Sequence, residues 1–134
     1  LYEVGGIKET VGGKTYVFID GGMSDNIRTA LYQAEYEACV VNNPNDTDTR
    51  EITLAGKLCE SGDIIINKGK LPKSTKIGDI VAVGTTGAYC YTMSSHYNRM
   101  VTPAVVFVKD GKAKVAVRRE NYEDLIKNDE IFEL

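Results

Sequence analysis

The chain has one histidine, His96, and three cysteines, Cys39, Cys59 and Cys90, among its 134 residues. No Cys-x-x-Cys pair occurs and the gaps between cysteines are long. Neither a structural zinc site nor a disulfide framework is therefore expected, and no metal ligand is assigned. This cysteine usage fits a reducing, cytoplasmic setting. No apolar stretch approaches the roughly 18 residues of a membrane span, and no signal-peptide pattern opens the chain. No block of basic residues offsets the net charge of -3, which argues against a nucleic-acid surface. Gly-x-Gly-x-x-Gly and P-loop fingerprints are missing, as are internal repeats, low-complexity tracts and long linkers. An initiating methionine is missing too. The opening LYEVGG already reads as a strand, and we expect a piece of a longer protein.

What is present is enough for one compact domain, since 43% of the residues are hydrophobic. Tyr16 to Ile19 is β-branched and aromatic, which predicts a strand. It runs into DGGMSD, where two glycines permit a sharp change of direction. Ser24 is placed to cap a short helix through NIRTALYQ, with Ile27, Leu31 and Ala34 at roughly helical spacing. EACVV reads as a strand, NNPNDTDT as a polar loop, and ITLAGKL and DIIINKG as strands around CESGD. IGDIVAVGTTGAYCYTM reads as a strand reaching a bend at Gly84 and Gly87. PAVVFV and AKVAVRR flank Asp-Gly, a strong hairpin signal. Val115 and Val117 alternate with Lys114 and Ala116, so one face of that hairpin should be wetter. The tail predicts a terminal helix with Tyr122, Leu125 and Ile126 on one stripe. Many short strands with glycine-rich bends give a mainly β fold, a barrel or sandwich with short helices.

Several residue groups carry chemistry. Cys59 and Glu60 are adjacent at a turn, where both can reach one pocket. A thiol has a tunable pKa and can donate a proton, and a carboxylate can bind an amine. The plain alternative is a small buried cysteine beside a polar turn of Glu60, Ser61 and Asp63. Arg28 and Tyr32 are four apart and share a helix face. A guanidinium binds a carboxylate in two-point fashion, and the phenol adds a directed hydrogen bond. In GTTGAYCY a glycine lets backbone approach a ligand, and Tyr89 can meet an aromatic ring or a phosphate. Asp20 with its two glycines reads as a turn. His96 has no partner nearby in sequence, and Arg118 and Arg119 read as a solvated pair.

Taken in order, FIDGGMSDNIRTALYQAEYEA, GKLCESGDII, LPKSTKIGDIVAVGTTGAYCYTMSSHYN and AVRRENYEDL resemble the C-terminal region of the diaminopimelate decarboxylases. The resemblance runs from Leu1 to about Leu125. It implies that residues 1–134 form the C-terminal β domain of a fold type III enzyme. An N-terminal (β/α)8 barrel carrying pyridoxal 5'-phosphate on a lysine would lie outside this chain. It implies decarboxylation of meso-2,6-diaminopimelate to L-lysine and carbon dioxide, the last step of lysine synthesis. It also implies a head-to-tail homodimer with shared active sites. The fragment alone is expected to be inactive.

The resemblance carries a role to each of five residues. Arg28 and Tyr32 match the pair that grips a substrate carboxylate. Cys59 matches the proton donor and Glu60 the carboxylate that recognises the distal substrate group, both supplied to the partner subunit's pocket. Tyr89 matches the tyrosine that contacts cofactor and substrate. Three positions depart from the family pattern: Thr29 stands where proline is usual, Cys90 where glycine follows the tyrosine, and His96 where asparagine is frequent. Two other readings stay open. One is a decarboxylase of another basic amino acid or of carboxynorspermidine, although those relatives carry CDxxD at the cysteine turn. The other is a non-catalytic β binding or assembly module.

Overall fold

The computed structural model describes residues 1–132. The strands are β1 (Tyr2–Glu9), β2 (Thr15–Ile19), β3 (Ala38–Val40), β4 (Thr49–Ala55), β5 (Ile64–Pro72), β6 (Ile80–Val83), β7 (Val105–Lys109) and β8 (Lys112–Val117). Three short helices, α1 (Arg28–Tyr32), α2 (Cys90–Met93) and α3 (Tyr122–Ile126), and a 3-10 turn at Tyr97–Arg99 fill the connections. The first six strands form one sheet in the order β3-β6-β1-β2-β4-β5. β2 and β4 run parallel and the other pairs antiparallel. Its two ends, β3 and β5, lie against each other, so the sheet curls toward a barrel. This is the mainly β architecture expected from the sequence.

Strand alternation explains the core. In β2, Thr15, Val17 and Ile19 point inward, while Tyr16 and Phe18 stay part-exposed and stack with ring centroids 6.1 Å apart. Val4, Val17, Ile19, Val40, Ile52, Leu54, Ile65, Ile66, Leu71 and Val81 form the buried cluster inside the curl. Thr53 is buried on β4 as well, and its hydroxyl donates to the Asn67 carbonyl at 2.8 Å, which satisfies it. Gly69 on β5 lies against Ile66 and Ile52, and a Cβ there would sit 2.9 Å from Ile66 Cγ2.

The β7–β8 hairpin forms a separate two-stranded sheet. Its turn is Asp110 and Gly111, both with positive φ (51° and 70°), the conformation that Asp-Gly favours. Val106 pairs with Val115 and Val108 with Ala113, which gathers four apolar side chains on one face. Phe107, Lys109, Lys112 and Lys114 share the other. The wetter face expected from alternation exists, but a register shift at Val105/Val106 changes its membership. All four residues of the apolar face are exposed. A cleft of about 610 Å³, lined by Tyr2, Asp25, Cys90, Pro103 and Val105 among others, lies between hairpin and main sheet.

Two local expectations need correction. Ser24 does not cap α1: it is buried, α1 starts at Arg28, and the Asn26 side chain takes the Arg28 amide at 3.2 Å. The helix is only one turn long because Gln33 turns left-handed (φ 55°) and its amide closes on Thr29 O. The AYCYTM stretch is not strand: Tyr89 adopts φ 69° and Cys90 starts α2. The terminal helix forms as expected: Asn121 and Asp124 make the capping box of α3, Tyr122 and Ile126 are exposed, and Leu125 is half-buried. Amphipathic spacing found the helix, and what would cover its apolar side is not among the described residues.

Candidate functional site

Three loops meet at one end of the curled sheet. The first leaves β2 through Gly21 and Gly22 and delivers Arg28. Asp25 accepts the Gly22 amide at 3.1 Å, and Asn26, buried at 3% exposure, turns the chain into α1. Thr29, the departure from proline, donates its hydroxyl to the Ile65 carbonyl at 2.8 Å and so fastens α1 to β5.

The second loop is the β4–β5 turn, which holds Cys59 and Glu60 at its tip. Gly56 N donates to Asp63 O at 2.8 Å, closing the turn at its base. Cys59 is exposed, so the reading of a small buried cysteine is set aside. Glu60 accepts the Gly62 amide at 2.9 Å and the Ser61 hydroxyl at 3.2 Å on one oxygen. Tyr97 donates to its other oxygen at 3.4 Å. These donors, the Gly62 amide foremost, hold the carboxyl below the usual glutamate range and keep it ionised at neutral pH.

The third loop follows β6. Tyr89 holds a left-handed backbone, costly for a non-glycine residue by about 1–3 kcal/mol, and leaves its ring largely exposed. The Arg28 guanidinium carbon lies 5.4 Å from the centroid of that ring, a cation–π contact. Buried Cys90 anchors the next residue, and Ser95 N donates to Ser24 O at 2.9 Å, tying the third loop to the first. His96 meets Glu120 at 2.7 Å, a partner 24 residues away. Glu120 also takes the Thr102 amide at 2.9 Å, and its carboxyl is held low by that amide and by His96.

The expected residues therefore gather in two pairs. Arg28 meets Tyr89, and Glu60 lies beside Cys59 at the turn tip. Among the described residues no hydrogen bond joins one pair to the other, and Arg28 makes no ion pair. Tyr32 lies one turn along from Arg28 and is exposed, with no side-chain hydrogen bond among the described residues. Two residues escaped sequence reasoning. Tyr97 stood inside SSHYN, but nothing in the spacing links it to Glu60, 37 residues earlier. Asp63 was read as turn dressing and is buried. Asp20 accepts the Glu3 amide at 2.9 Å, a structural role. Arg118 is not merely solvated: it grips Asp124 through two contacts of 2.6 Å.

The chain is 57% identical over 129 residues to a diaminopimelate decarboxylase of Staphylococcus aureus, covering 96% of this chain and 30% of that protein. It is 52% identical over 129 residues to the Bacillus subtilis enzyme, covering 96% of this chain and 29% of that one. A crystal structure of diaminopimelate decarboxylase from M. jannaschii in co-complex with L-lysine superposes with a TM-score of 0.88 at 32% identity, covering 97% of this chain and 29% of that one. The chain thus spans under a third of the length of these relatives. The family model of the pyridoxal-dependent decarboxylase C-terminal sheet domain matches residues 1–87, more than half of the chain, and the chain belongs to that family.

Proposed function

We propose that the full-length protein decarboxylates meso-2,6-diaminopimelate to L-lysine with pyridoxal 5'-phosphate, as a cytoplasmic homodimer, and that residues 1–134 are its C-terminal β domain. The observation that carries the reading is the exposed Cys59–Glu60 pair on a closed turn, within a chain 57% identical to a diaminopimelate decarboxylase. An N-terminal (β/α)8 barrel supplies the cofactor lysine. The apolar face of β7–β8, with Val106, Val108, Ala113 and Val115, packs against that part of the protein.

The residues of this chain fit one edge of a phosphorylated aromatic cofactor. The exposed Tyr89 ring offers a stacking face and a phenol donor, and Arg28 adds positive charge beside it. The cofactor supplies an acceptor for the electron pair left when carbon dioxide departs. Cys59 delivers the proton that replaces the carboxyl group, from an exposed position at the turn tip. Ionised Glu60 binds the distal ammonium of the substrate, and Arg28 binds the distal carboxylate, a charge-assisted pairing suited to a guanidinium. Tyr32 orients that end. Cys59 and Glu60 serve the partner subunit's pocket, which suits their separation from the Arg28–Tyr89 pair. Glu60 meets the ammonium that both kinds of substrate carry, and Arg28, through the distal carboxylate, distinguishes diaminopimelate from a substrate with an amine alone.

The test is a substrate profile of the full-length protein with diaminopimelate, ornithine, arginine and carboxynorspermidine, read by carbon dioxide release. Diaminopimelate is expected to be turned over with the highest kcat/KM. Preference for any of the others removes the assignment, and no turnover of any of the four favours a non-catalytic module.

A further inference from the structure

We propose that Asp63 is a positioning residue: a buried carboxylate latch that fixes the Cys59–Glu60 turn relative to the loop that delivers Arg28. The proposal rests on the catalytic reading above for its consequence, but its geometry stands without it. Asp63 is only 2% exposed and lies between the two loops. One oxygen accepts the Met23 amide at 2.6 Å, 40 residues away in sequence. The other accepts the Leu58 amide at 2.7 Å. Met23 lies five residues before Arg28, and Leu58 immediately precedes Cys59. One carboxylate therefore ties the turn that serves the partner subunit's pocket to the loop that serves this subunit's own, and holds each at a fixed place.

Two glycines pack directly against the Asp63 carboxyl group. A Cβ on Gly22 would stand 2.5 Å from Oδ1, and one on Gly56 would stand 2.1 Å from Oδ2. Both glycines are thus needed for close approach to the carboxylate rather than for a left-handed backbone. Lys57 N donates to Gly21 O at 3.0 Å, a second bridge between the same two loops. Two short bonds to the two oxygens of one buried carboxyl group tolerate little displacement. A latch of this kind matters for chemistry because a misplacement of about 1 Å costs on the order of 10²-fold in rate.

The test is Asp63→Asn in the full-length protein. The amide retains one acceptor, but its NH2 faces a backbone N–H, so one of the two bonds is lost. The latch predicts that kcat falls and KM for diaminopimelate rises together, with kcat/KM down by about tenfold or more. Ile52→Val, a core change away from the latch, serves as the control for lost stability and leaves both constants within about twofold. Folded Asp63→Asn protein with kcat and KM both within about twofold of the parent overturns the proposal. Hydrogen exchange decides the geometry independently of any activity. The amides of Met23 and Leu58 should exchange faster together in the variant. Unchanged exchange at either one refutes the latch even if the catalytic reading holds. Joint acceleration in a protein that does not turn over diaminopimelate upholds the latch and removes only the catalytic reading.

Discussion

A single added methyl group at Gly56 should damage this domain as much as a hole in its core. The Cβ of Gly56→Ala would lie 2.1 Å from Asp63 Oδ2 and 2.5 Å from its Cγ and Oδ1. Ordinary contact needs more than 3 Å, so the carboxylate must retreat by about 1 Å or the turn must open. Either movement breaks the bonds to Met23 and Leu58, now 2.6 and 2.7 Å. Hydrogen bonds to a charged group contribute about 1.5–3 kcal/mol each, so their joint loss costs roughly 3–6 kcal/mol. Alanine restricts the unfolded chain and returns about 0.4–1 kcal/mol, leaving a net loss of about 2–5.5 kcal/mol. Gly12→Ala is the matched control. Nothing lies within 4 Å of its Cβ and its φ is not left-handed, so the same substitution should be neutral or slightly stabilising. The assay is equilibrium urea unfolding followed by far-ultraviolet circular dichroism, since the sequence has no tryptophan to report. If the two variants differ by less than about 1 kcal/mol, the close-packed latch is wrong.

Three further outcomes follow from the geometry. Glu120 and Asp124 have carboxyls held below their ordinary range, Asp124 by the Arg118 pair and the Asn121 amide. A depressed folded value means the stability they contribute is present above the unfolded value and lost as pH falls through the folded one. The thermal midpoint should therefore drop between about pH 5 and pH 2, and Arg118→Ala should flatten the acid end of that curve. Tyr97→Phe removes one long hydrogen bond at 3.4 Å from Glu60, so KM for diaminopimelate should rise by no more than about threefold with kcat unchanged. A larger effect would place the Tyr97 phenol in direct contact with substrate. If the two halves of the site serve different pockets of a homodimer, coexpressed Cys59→Ser and Arg28→Ala subunits, each inactive alone, should recover about a quarter of parent activity. No recovery would put both groups in one pocket of one subunit.

Local chemistry and alternation made much of the fold legible. Asp-Gly at 110–111 fixed the hairpin, and the apolar runs at 15–19, 64–66 and 80–83 located strands at the right places. Helical spacing placed Arg28 on a short helix, and turn chemistry placed Cys59 and Glu60 at a turn and Tyr89 beside a glycine bend; the structure brings these segments to one end of the sheet. What stayed hidden depends on long-range contact. The partner of His96 is Glu120, and that of Asp63 includes Met23, and no spacing rule predicts either. The length of α1 depends on a left-handed Gln33, a choice tertiary packing imposes on a residue with no preference for it. The stripe of α3 and the apolar face of β7–β8 were legible as patterns, but their exposure was not, because periodicity reports an apolar face, never what covers it.

The most direct measurement is carbon dioxide release from diaminopimelate by full-length Cys59→Ser protein that retains bound pyridoxal phosphate by absorbance. The account predicts a loss of kcat on the order of 10²-fold or more, with KM little changed, because the thiol donates a proton and the hydroxyl is a far weaker acid. Parent-like kcat in that variant would contradict a catalytic role for the turn that carries Cys59.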